Sequence, residues 1–187
     1  MTNFADKLIA VATLAAPHAA ALEAACAEFD ITAGRRAQMF LATCAHESGG
    51  FRYVRELWGP TDQQRKYEPP SKLAKGLGNT QIGDGRRFAG RGWIQVTGRD
   101  NVRRCSIALF GDDRLVQDPR WLETPEGAAR SAGWFWSSNK LNALADAGDF
   151  IATQGVVNVG NKKATTTQII GFPDRRRWFE KMVAAGL

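Results

Sequence analysis

The segment from residue 51 to residue 92 most restricts what this chain can fold into. It contains Pro60, Pro69, Pro70 and seven glycines, and such residues divide a chain into turns and loops rather than long helices or central strands. The segments on both sides instead carry apolar residues at helical spacing. We therefore expect helices around one long polar and aromatic loop region with at most a short hairpin, and loops that line a cleft commonly carry function.

Apolar spacing predicts the helices that surround this loop. Residues 3 to 29 are predicted as a helix or a helix pair broken at Pro17. Thr32 is predicted to cap a helix that begins near Ala33 and ends at the Gly49–Gly50 pair. The core-facing stripe of that helix comprises Ala37, Phe40, Leu41 and Cys44. Later helices are predicted over residues 99 to 110, Glu126 to Ser137, Leu141 to Asn158 and the closing segment FPDRRRWFEKMVAAG, with a brief strand or turn at GWIQVTG.

Length and composition limit the class of protein. At 187 residues the chain suits one domain with a real core, and its 44% hydrophobic and 24% charged content is typical of a globular protein. The formal net charge of +6 predicts attraction to an anionic partner. Charge alone leaves open nucleic acid, an acidic membrane face and an acidic polymer such as a bacterial wall.

The cysteines and histidines argue against a metal site. Cys26, Cys44 and Cys105 are widely spaced and form no CxxC pair, so neither a disulfide framework nor a zinc site is expected. Buried free thiols of a protein made in the cytosol explain them better. His18 and His46 are the only histidines, and we expect neither a metal nor any other cofactor.

Membrane insertion is not expected either, since no window approaches the ~20 apolar residues of a spanning helix. The N-terminal stretch LIAVATLAAPHAAALEAA faintly resembles a signal sequence. Pro17, His18 and Glu23 interrupt it, and alanine supplies most of its apolarity, so an amphipathic helix is the better interpretation. A target outside the cell would then require another route of release.

Two glutamates nine positions apart lie in the stretch CAHESGGFRYVRELWGP. Glu47 follows Cys44 by three residues on the stripe predicted to face the core, where partial desolvation would favour the protonated form and raise its pKa, as a general acid requires. Glu56 is flanked by Arg52 and Arg55, which would keep it ionised. Contrasting carboxyls suit glycoside hydrolysis, although two surface charges would show the same spacing.

A second, glycine-rich segment, GDGRRFAGRGWIQVTGRDN, spans residues 83 to 101. Gln95 and Thr97 alternate with Ile94 and Val96, so both polar side chains are expected on one face of an extended segment, where they can bind sugar hydroxyls or hold a water molecule. A loop stabilised by arginine contacts would have the same composition. A phosphate-binding loop fits less well, because GxxxxGK[ST] is absent and no GxGxxG follows a clear strand.

The chain carries four ordered motifs that resemble glycoside hydrolase family 19, namely FLATCAHESGGF, GRGWIQVTGRDN, SAGWFW and VVNVGN. The similarity extends from about Thr32 to the C-terminal helix and is clearest to the phage and prophage endolysins of that family. It implies a mainly α, lysozyme-like α+β fold, a helical bundle around a substrate cleft with a small β-hairpin or loop region. It also implies a single catalytic domain over residues 1 to 187, without a separate wall-binding module.

The resemblance implies catalytic roles for the matching positions. Glu47 takes the place of the general acid in the His-Glu-Ser/Thr-Gly-Gly motif. Glu56 matches the base by its spacing in similar endolysins, and Glu68 is its rival. Thr97 would help to hold the attacking water. Arg175 lies where the family often has a structural or site-supporting arginine.

Substrate binding is expected of a wider set of residues. Gln95, Asn101 and Asn158 match family positions, although NVGN departs from the family's Asn-Gly-Gly segment. Tyr67 and Trp93 are candidates to stack on sugar rings, as are Tyr53 and Trp58, but core packing explains each aromatic residue at least as well. The predicted substrate-binding residues are His46, Tyr67, Trp93, Gln95, Asn101 and Asn158.

These roles predict a peptidoglycan-degrading endolysin that hydrolyses the β-1,4 bond between N-acetylmuramic acid and N-acetylglucosamine. Glu47 would protonate the glycosidic oxygen while Glu56 deprotonates a water on the opposite face, which inverts the anomeric centre and requires carboxyls roughly 6.5 to 9.5 Å apart. We expect a monomer whose partner is the glycan strand, with no nucleic acid. It would be made in the host cytoplasm and would reach the wall, in the periplasm, through a holin.

Alternatives remain open at this point. A chitinase acting on β-1,4-linked N-acetylglucosamine is the runner-up, and a basic nucleic-acid-binding protein is the rival from another class. A zinc peptidase is disfavoured because Gly50 stands where HExxH needs its second histidine. A lytic transglycosylase, which uses one Glu without water, is harder to exclude.

Overall fold

The computed structural model describes residues 3 to 32 and 34 to 187 and is built from helices. Before the central loop region lie α1 (Phe4–Val11), a 3₁₀ helix (Thr13–His18), α2 (Ala19–Glu28) and α3 (Arg35–Glu47). Within it lie the short helices α4 (Asp62–Arg65), α5 (Lys72–Gly76) and α6 (Asp84–Arg87). After it lie α7 (Arg99–Phe110), α8 (Arg114–Gln117), a second 3₁₀ helix (Pro119–Glu123), α9 (Pro125–Ser138), α10 (Leu141–Asp146), α11 (Phe150–Val159) and α12 (Phe172–Ala184).

Helix α3 forms the centre of the core. All of its residues from Met39 to Ala45 are buried, including the predicted stripe, and α12 packs along it. Phe40 lies edge-on against Trp136 of α9, with ring centroids 5.5 Å apart and both side chains fully buried. Burial of one such ring contributes about 1.5 to 3 kcal/mol, so packing of this kind holds α3 in place.

A second, smaller cluster anchors the loop region. Phe88 and Val96, at the two ends of the glycine-rich turn, are buried with residues of α7 and α8, among them Val102, Cys105 and Leu115. The turn between them is therefore held by apolar packing at both ends. This packing fixes the polar side chains that the turn carries.

Of the brief strand or turn predicted at GWIQVTG, the structure has the turn, and the extended segment expected to carry Gln95 and Thr97 is wrong. Within the described residues, the β structure consists of two isolated antiparallel bridges that pair Arg91 with Arg55 and with Val96. Gln95 has a φ of 55°, in the left-handed region, so GWIQVTG is a tight turn rather than an extended strand. The mainly α fold is otherwise as predicted.

Two predicted helix boundaries also differ. The N-cap of α3 is Gly34, at a φ of 86°, so the predicted cap at Thr32 is wrong, and Ala33 lies outside the described residues. The single helix predicted from Leu141 to Asn158 is two helices. Gly148, with a φ of 73°, separates α10 from α11, and the Asp149 carboxylate accepts the Ala152 N–H to begin α11.

All three cysteines are buried and free, as expected. Across the described ranges, no helix combines the length and the apolarity needed to cross a bilayer.

Candidate active site

Glu47 is the last residue of α3, and the chain reverses directly after it. The Ser48 hydroxyl donates to the Cys44 carbonyl (2.6 Å) and accepts the Phe51 N–H (2.9 Å). Gly49, Gly50 and Phe51 all have positive φ, and the Gly50 N–H donates to a carbonyl one turn back in the helix. This glycine cap was predicted, and it places the Glu47 side chain at the edge of the core.

Arg175 of α12 is the partner of Glu47. Its Nη2 lies 2.6 Å from Glu47 Oε1, and the two side chains are 2% and 22% exposed. Its other nitrogens are also engaged, since Nη1 donates to Gln154 Oε1 (3.0 Å) and Nε donates to the Ile170 carbonyl (3.0 Å). Gln154 in turn donates to the hydroxyl of Thr43 in α3 (2.9 Å). The guanidinium is thus fixed from three sides.

The contact between Glu47 and Arg175 is an ion pair rather than an aligned hydrogen bond, because the buried Oε1 has no well-directed donor among the described residues. A buried cation thus contacts the Glu47 carboxyl. The apolar stripe of α3 predicted that Glu47 lies at the edge of the core, but it did not predict this partner.

His46 and Asn158 bind the same part of the chain as Glu47. His46 Nδ1 lies 2.7 Å from Asp174 Oδ2, and the Asn158 side-chain oxygen accepts the Ile170 N–H (2.8 Å). Burial opposes ionisation of Asp174, but hydrogen bonds from His46 and Arg177 hold its pKa below the ordinary value. His46, Glu47 and Asn158 therefore converge on the segment that opens α12.

Glu56 lies in a different environment, held by uncharged donors. Its Oε1 accepts from Gln64 Nε2 (3.0 Å) and from the Tyr67 hydroxyl (3.4 Å), and its Oε2 accepts the Gly90 N–H (3.1 Å). The Glu56 N–H donates to the Gly90 carbonyl (2.8 Å), so backbone and side chain are both attached to Gly90. A capping box at Thr61 orients Gln64.

The expected arginine partners of Glu56 are wrong. Arg55 Nε points to Glu123, 3.9 Å from its Oε1, and the Arg52 guanidinium lies over the ring of Tyr53 at 6.0 Å. The groups that contact the Glu56 side chain are the Gln64 amide, the Tyr67 hydroxyl and the Gly90 N–H. Burial, followed by the nearby Glu56 charge, raises the pKa of the Tyr67 phenol, which therefore stays a hydrogen-bond donor at neutral pH.

The Gln95 and Thr97 side chains both lie against Gly90. A Cβ added to Gly90 would lie 2.6 Å from Gln95 Oε1 and 3.1 Å from Thr97 Oγ1. Asn101 supports this turn by donating to the Thr97 carbonyl (2.7 Å). The three polar residues line one cavity of about 150 Å³ with Trp134 and neighbouring apolar groups. The predicted convergence holds, although a turn and not an extended face produces it.

The structure corrects the prediction for Trp93. Its side chain is fully buried, packed edge-on against Phe51 (5.4 Å) and His18 (4.7 Å). A sugar cannot stack on a ring that is sealed in the core. Tyr67 and Trp58 are both half-buried, so both remain accessible to a substrate. Their ring centroids are 6.3 Å apart.

Glu68, the rival base, serves the backbone. Its Oε2 accepts the Gly83 N–H (2.8 Å) and its Oε1 accepts the Arg86 N–H (3.3 Å) at the start of α6. Gly85 lies so close that an added Cβ would come within 2.7 Å of the same carboxylate. Glu68 therefore stabilises the local turn.

Sequence reasoning missed Gln64 and Gly90, which hold Glu56, and Asp174, which holds His46. The Thr61-to-Gln64 spacing is that of a capping box and was a usable signal. Gly90 and Asp174 act through contacts distant in sequence, for which one sequence has no signal. Across the described residues, no group of three or more His, Cys, Asp or Glu side chains is arranged to hold a metal ion.

Comparison with known proteins shows which sequences and folds this chain resembles. No protein-family model matches the chain. A "Glycosyl hydrolase family 19 domain-containing protein" of Haemophilus influenzae is 33% identical, with a match covering 57% of this chain and 63% of that protein. "Endochitinase 2" of Gossypium hirsutum is 31% identical, over 56% of this chain and 36% of its own length. The chain spans less than two thirds of either relative.

Solved structures extend the likeness to nearly the whole chain. Chitinase C of Streptomyces griseus HUT6037 matches with a TM-score of 0.70 at 21% identity, covering 99% of this chain and 78% of that one. A bacterial family 19 chitinase matches with a TM-score of 0.63 at 18% identity, covering 94% and 92%. The predicted resemblance to glycoside hydrolase family 19 and the mainly α fold are confirmed. The phage-endolysin type stays a prediction.

Proposed function

We propose that this protein is a glycoside hydrolase that cleaves β-1,4 bonds in the glycan strands of peptidoglycan. The observation that carries the proposal is the contrast between two carboxyls. Glu47 lies at a helix end beside the buried Arg175, whereas Glu56 is held by three uncharged donors. Two carboxyls kept in different environments can divide the roles of acid and base.

In the proposed mechanism Glu47 gives its proton to the glycosidic oxygen as the bond to the leaving sugar breaks. Arg175 then stabilises the carboxylate that remains. Glu56 removes a proton from a water molecule that attacks the opposite face of the ring. The result is single displacement with inversion, which needs a carboxyl separation of about 6.5 to 9.5 Å.

The surroundings of Glu56 favour it as the base over Glu68. Glu56 accepts the Gly90 N–H and Thr97 Oγ1 lies beside the Cβ position of the same glycine, so Glu56 and Thr97 both contact one residue of the turn. Gln95 shares this position and can bind the sugar. Glu68, by contrast, is occupied by backbone N–H groups.

Peptidoglycan is proposed over chitin because a chain with a net charge of +6 is attracted to an anionic polymer, and chitin has no charge. The endolysin role, release through a holin and action in the periplasm rest on the sequence resemblance. The names of the relatives favour chitin as the second candidate, since two cotton proteins among them are called endochitinases.

The test is digestion of purified peptidoglycan by wild type, Glu47→Gln and Glu56→Gln, with released fragments identified by mass spectrometry. Glu68→Gln is the control. Wild type and the control are expected to release fragments with ordinary reducing ends, and each of the other variants to lose at least about 100-fold in rate. Full activity of Glu47→Gln would refute the acid, and 1,6-anhydro ends would identify a lytic transglycosylase instead.

The nucleic-acid alternative is tested by titrating duplex DNA at two salt concentrations. A nucleic-acid-binding protein would bind DNA with a steep salt dependence, and Glu47→Gln would leave that binding intact. The proposed hydrolase is expected to show only weak attraction that vanishes at physiological ionic strength. Tight binding to DNA there would favour the alternative.

A further inference from the structure

A groove of about 580 Å³ beside the Glu56 segment has an unusually cationic lining. Five arginines line it, together with one aspartate, Asp118. The arginines are Arg55, Arg86, Arg87, Arg91 and Arg120. We call it the arginine groove. Clefts lined by charges of one sign concentrate ligands of the opposite sign.

Carboxylates of the chain neutralise only part of this charge. Arg91 Nε lies 2.7 Å from Glu123 Oε1, and the same oxygen is 3.9 Å from Arg55 Nε, so two arginines share one carboxylate. Arg120 pairs with Asp118 at 3.0 Å, but the two side chains are 78% and 58% exposed. Such an exposed pair is weak and exchanges readily with another anion.

Arg86 and Arg87 carry the uncompensated charge. Arg87 Nη2 donates to the carbonyl oxygens of Val116 (3.0 Å) and Gln117 (2.9 Å), which orient the guanidinium without neutralising it. The exposed Arg86 side chain forms no ion pair with any residue that the structure describes. The groove therefore presents oriented donors that an incoming anion can bind.

The groove adjoins the proposed base on two sides. Arg55 immediately precedes Glu56, so their Cα atoms are about 3.8 Å apart. Arg91 immediately follows Gly90, whose N–H binds the Glu56 carboxylate (3.1 Å), and Arg55 and Arg91 form a β-bridge. The two chain segments that hold the Glu56 carboxylate thus also supply two arginines of the groove.

We propose that the arginine groove binds carboxylates of the peptide that peptidoglycan carries on its muramic acid residues. This inference rests on the proposed function and names the part of the substrate that distinguishes peptidoglycan from chitin. Guanidinium groups match carboxylates in a two-point geometry, and the exposed Arg86 guanidinium, which pairs with no carboxylate of the described residues, can offer it. An unsubstituted chitin strand offers no anion to this groove.

Binding is measured by calorimetry in a Glu47→Gln background, which prevents turnover. The probes are a purified disaccharide–tetrapeptide, the same molecule with its carboxyls amidated, and an uncharged N-acetylglucosamine tetramer. The groove variant is Arg86→Ala with Arg120→Ala. The matched control is Lys72→Ala with Arg103→Ala, which removes two exposed charges that do not line the groove.

The parent is expected to bind the acidic glycopeptide about tenfold more tightly than the amidated one, with a preference that weakens as salt is added. The groove variant loses this preference and the control keeps it. Equal binding of the acidic and amidated probes, or a preference that survives in the groove variant, overturns the proposal. Binding to vesicles that contain a phosphorylated glycolipid would also overturn the proposal, if this binding depends on the groove and is tighter than binding to the glycopeptide.

A hydrolysis measurement separates this inference from the proposed function. In the active background, the ratio of peptidoglycan to tetramer cleavage is expected to fall about tenfold in the groove variant and to stay constant in the control. If wild type cleaves neither substrate but still prefers the acidic probe through the groove, the hydrolase proposal fails while the anion site stands. If wild type cleaves the glycan but shows no preference for the acidic probe, the hydrolase proposal stands and the anion site fails.

Discussion

Arg175 and Glu47 form an ion pair, 2.6 Å between Nη2 and Oε1, in which the arginine is the more deeply buried partner. Arg175 also binds Gln154 and the Ile170 carbonyl, so its place is set independently of the glutamate. A carboxyl held in this way keeps one orientation before and after it loses a proton. This relationship joins the two helices that dominate the core, α3 and α12, to the proposed chemistry.

Arg175→Ala is predicted to destabilise the fold by about 3 kcal/mol, because it leaves a buried amide and the Glu47 carboxylate without their partner. Arg175→Lys keeps the charge but cannot make both hydrogen bonds and the ion pair at once, so it is expected to lose less stability and still lose most activity. Urea denaturation and turnover of peptidoglycan measure both effects. The neighbouring exposed Arg176→Ala is the control, and equal losses there would contradict the role of Arg175.

Gly90→Ala is predicted to lower activity about tenfold or more while the protein still folds, since the added Cβ would come 2.6 Å from Gln95 Oε1 and 3.1 Å from Thr97 Oγ1 and would shift both side chains. Gly76→Ala is the matched control, because no atom lies within 4 Å of its Cβ position in α5. Alanine there is expected to stabilise the helix by about 0.5 to 1 kcal/mol. Circular dichroism shows whether the variant is folded, and kcat shows whether its site is disturbed. An unchanged kcat of Gly90→Ala would argue against the placement of Gln95 and Thr97 beside Gly90.

Tyr67→Phe is predicted to reduce kcat about threefold to tenfold, because it removes one of the three donors to Glu56 and keeps the ring. The long O–O distance of 3.4 Å makes this the weakest of the three contacts. Loss of the stronger Gln64 contact in Gln64→Leu is expected to cost more. The two kcat values are compared on the same glycan, and a larger effect at Tyr67 would reverse this order.

Asp84 makes stability depend on pH in the acidic range. Although burial opposes its ionisation, hydrogen bonds from Arg99 and from the Gln81 and Thr80 N–H groups hold its pKa below 3.8. A lowered folded pKa means that the stabilisation is complete above the unfolded value and is lost as the pH falls through the folded one. Asp84→Asn is therefore expected to cost about 2 kcal/mol at pH 7 and less near pH 3.

Urea midpoints at these two pH values test this linkage. Asp62→Asn is the control, since its carboxylate is 92% exposed and its loss is expected to change stability by less than about 0.5 kcal/mol. If Asp84→Asn were as destabilising at pH 3 as at pH 7, the ionised carboxylate would not be the source of the stability.

The local signals in the sequence were sufficient for most helices and for the position of Glu47 at the end of α3. The stripe of α3 and the glycines after it predicted both a buried helix and the place where it ends. The same reasoning failed at Gln95, because a residue in the left-handed region interrupts an alternating pattern that otherwise predicts a strand. It also failed at Gly148, where one glycine divides a continuous apolar pattern into two helices.

The partners of the site residues could not be predicted in the same way. Arg175 lies 128 positions from Glu47, and no periodicity connects them. Neighbouring arginines implied an ionised Glu56, but their side chains bind Glu123 and Tyr53 instead. Sequence neighbours set which groups are close along the chain, whereas packing sets which groups meet.

The anomeric form of the first product tests the central claim most directly. Wild type is mixed with a β-1,4-linked glycan, and the new reducing end is followed by proton NMR before the anomers equilibrate. Single displacement by water, with Glu47 as the acid and Glu56 as the base, predicts that the α-anomer appears first. A β-anomer that appears first would contradict the account, because it requires a covalent intermediate and a carboxyl separation of about 5 Å.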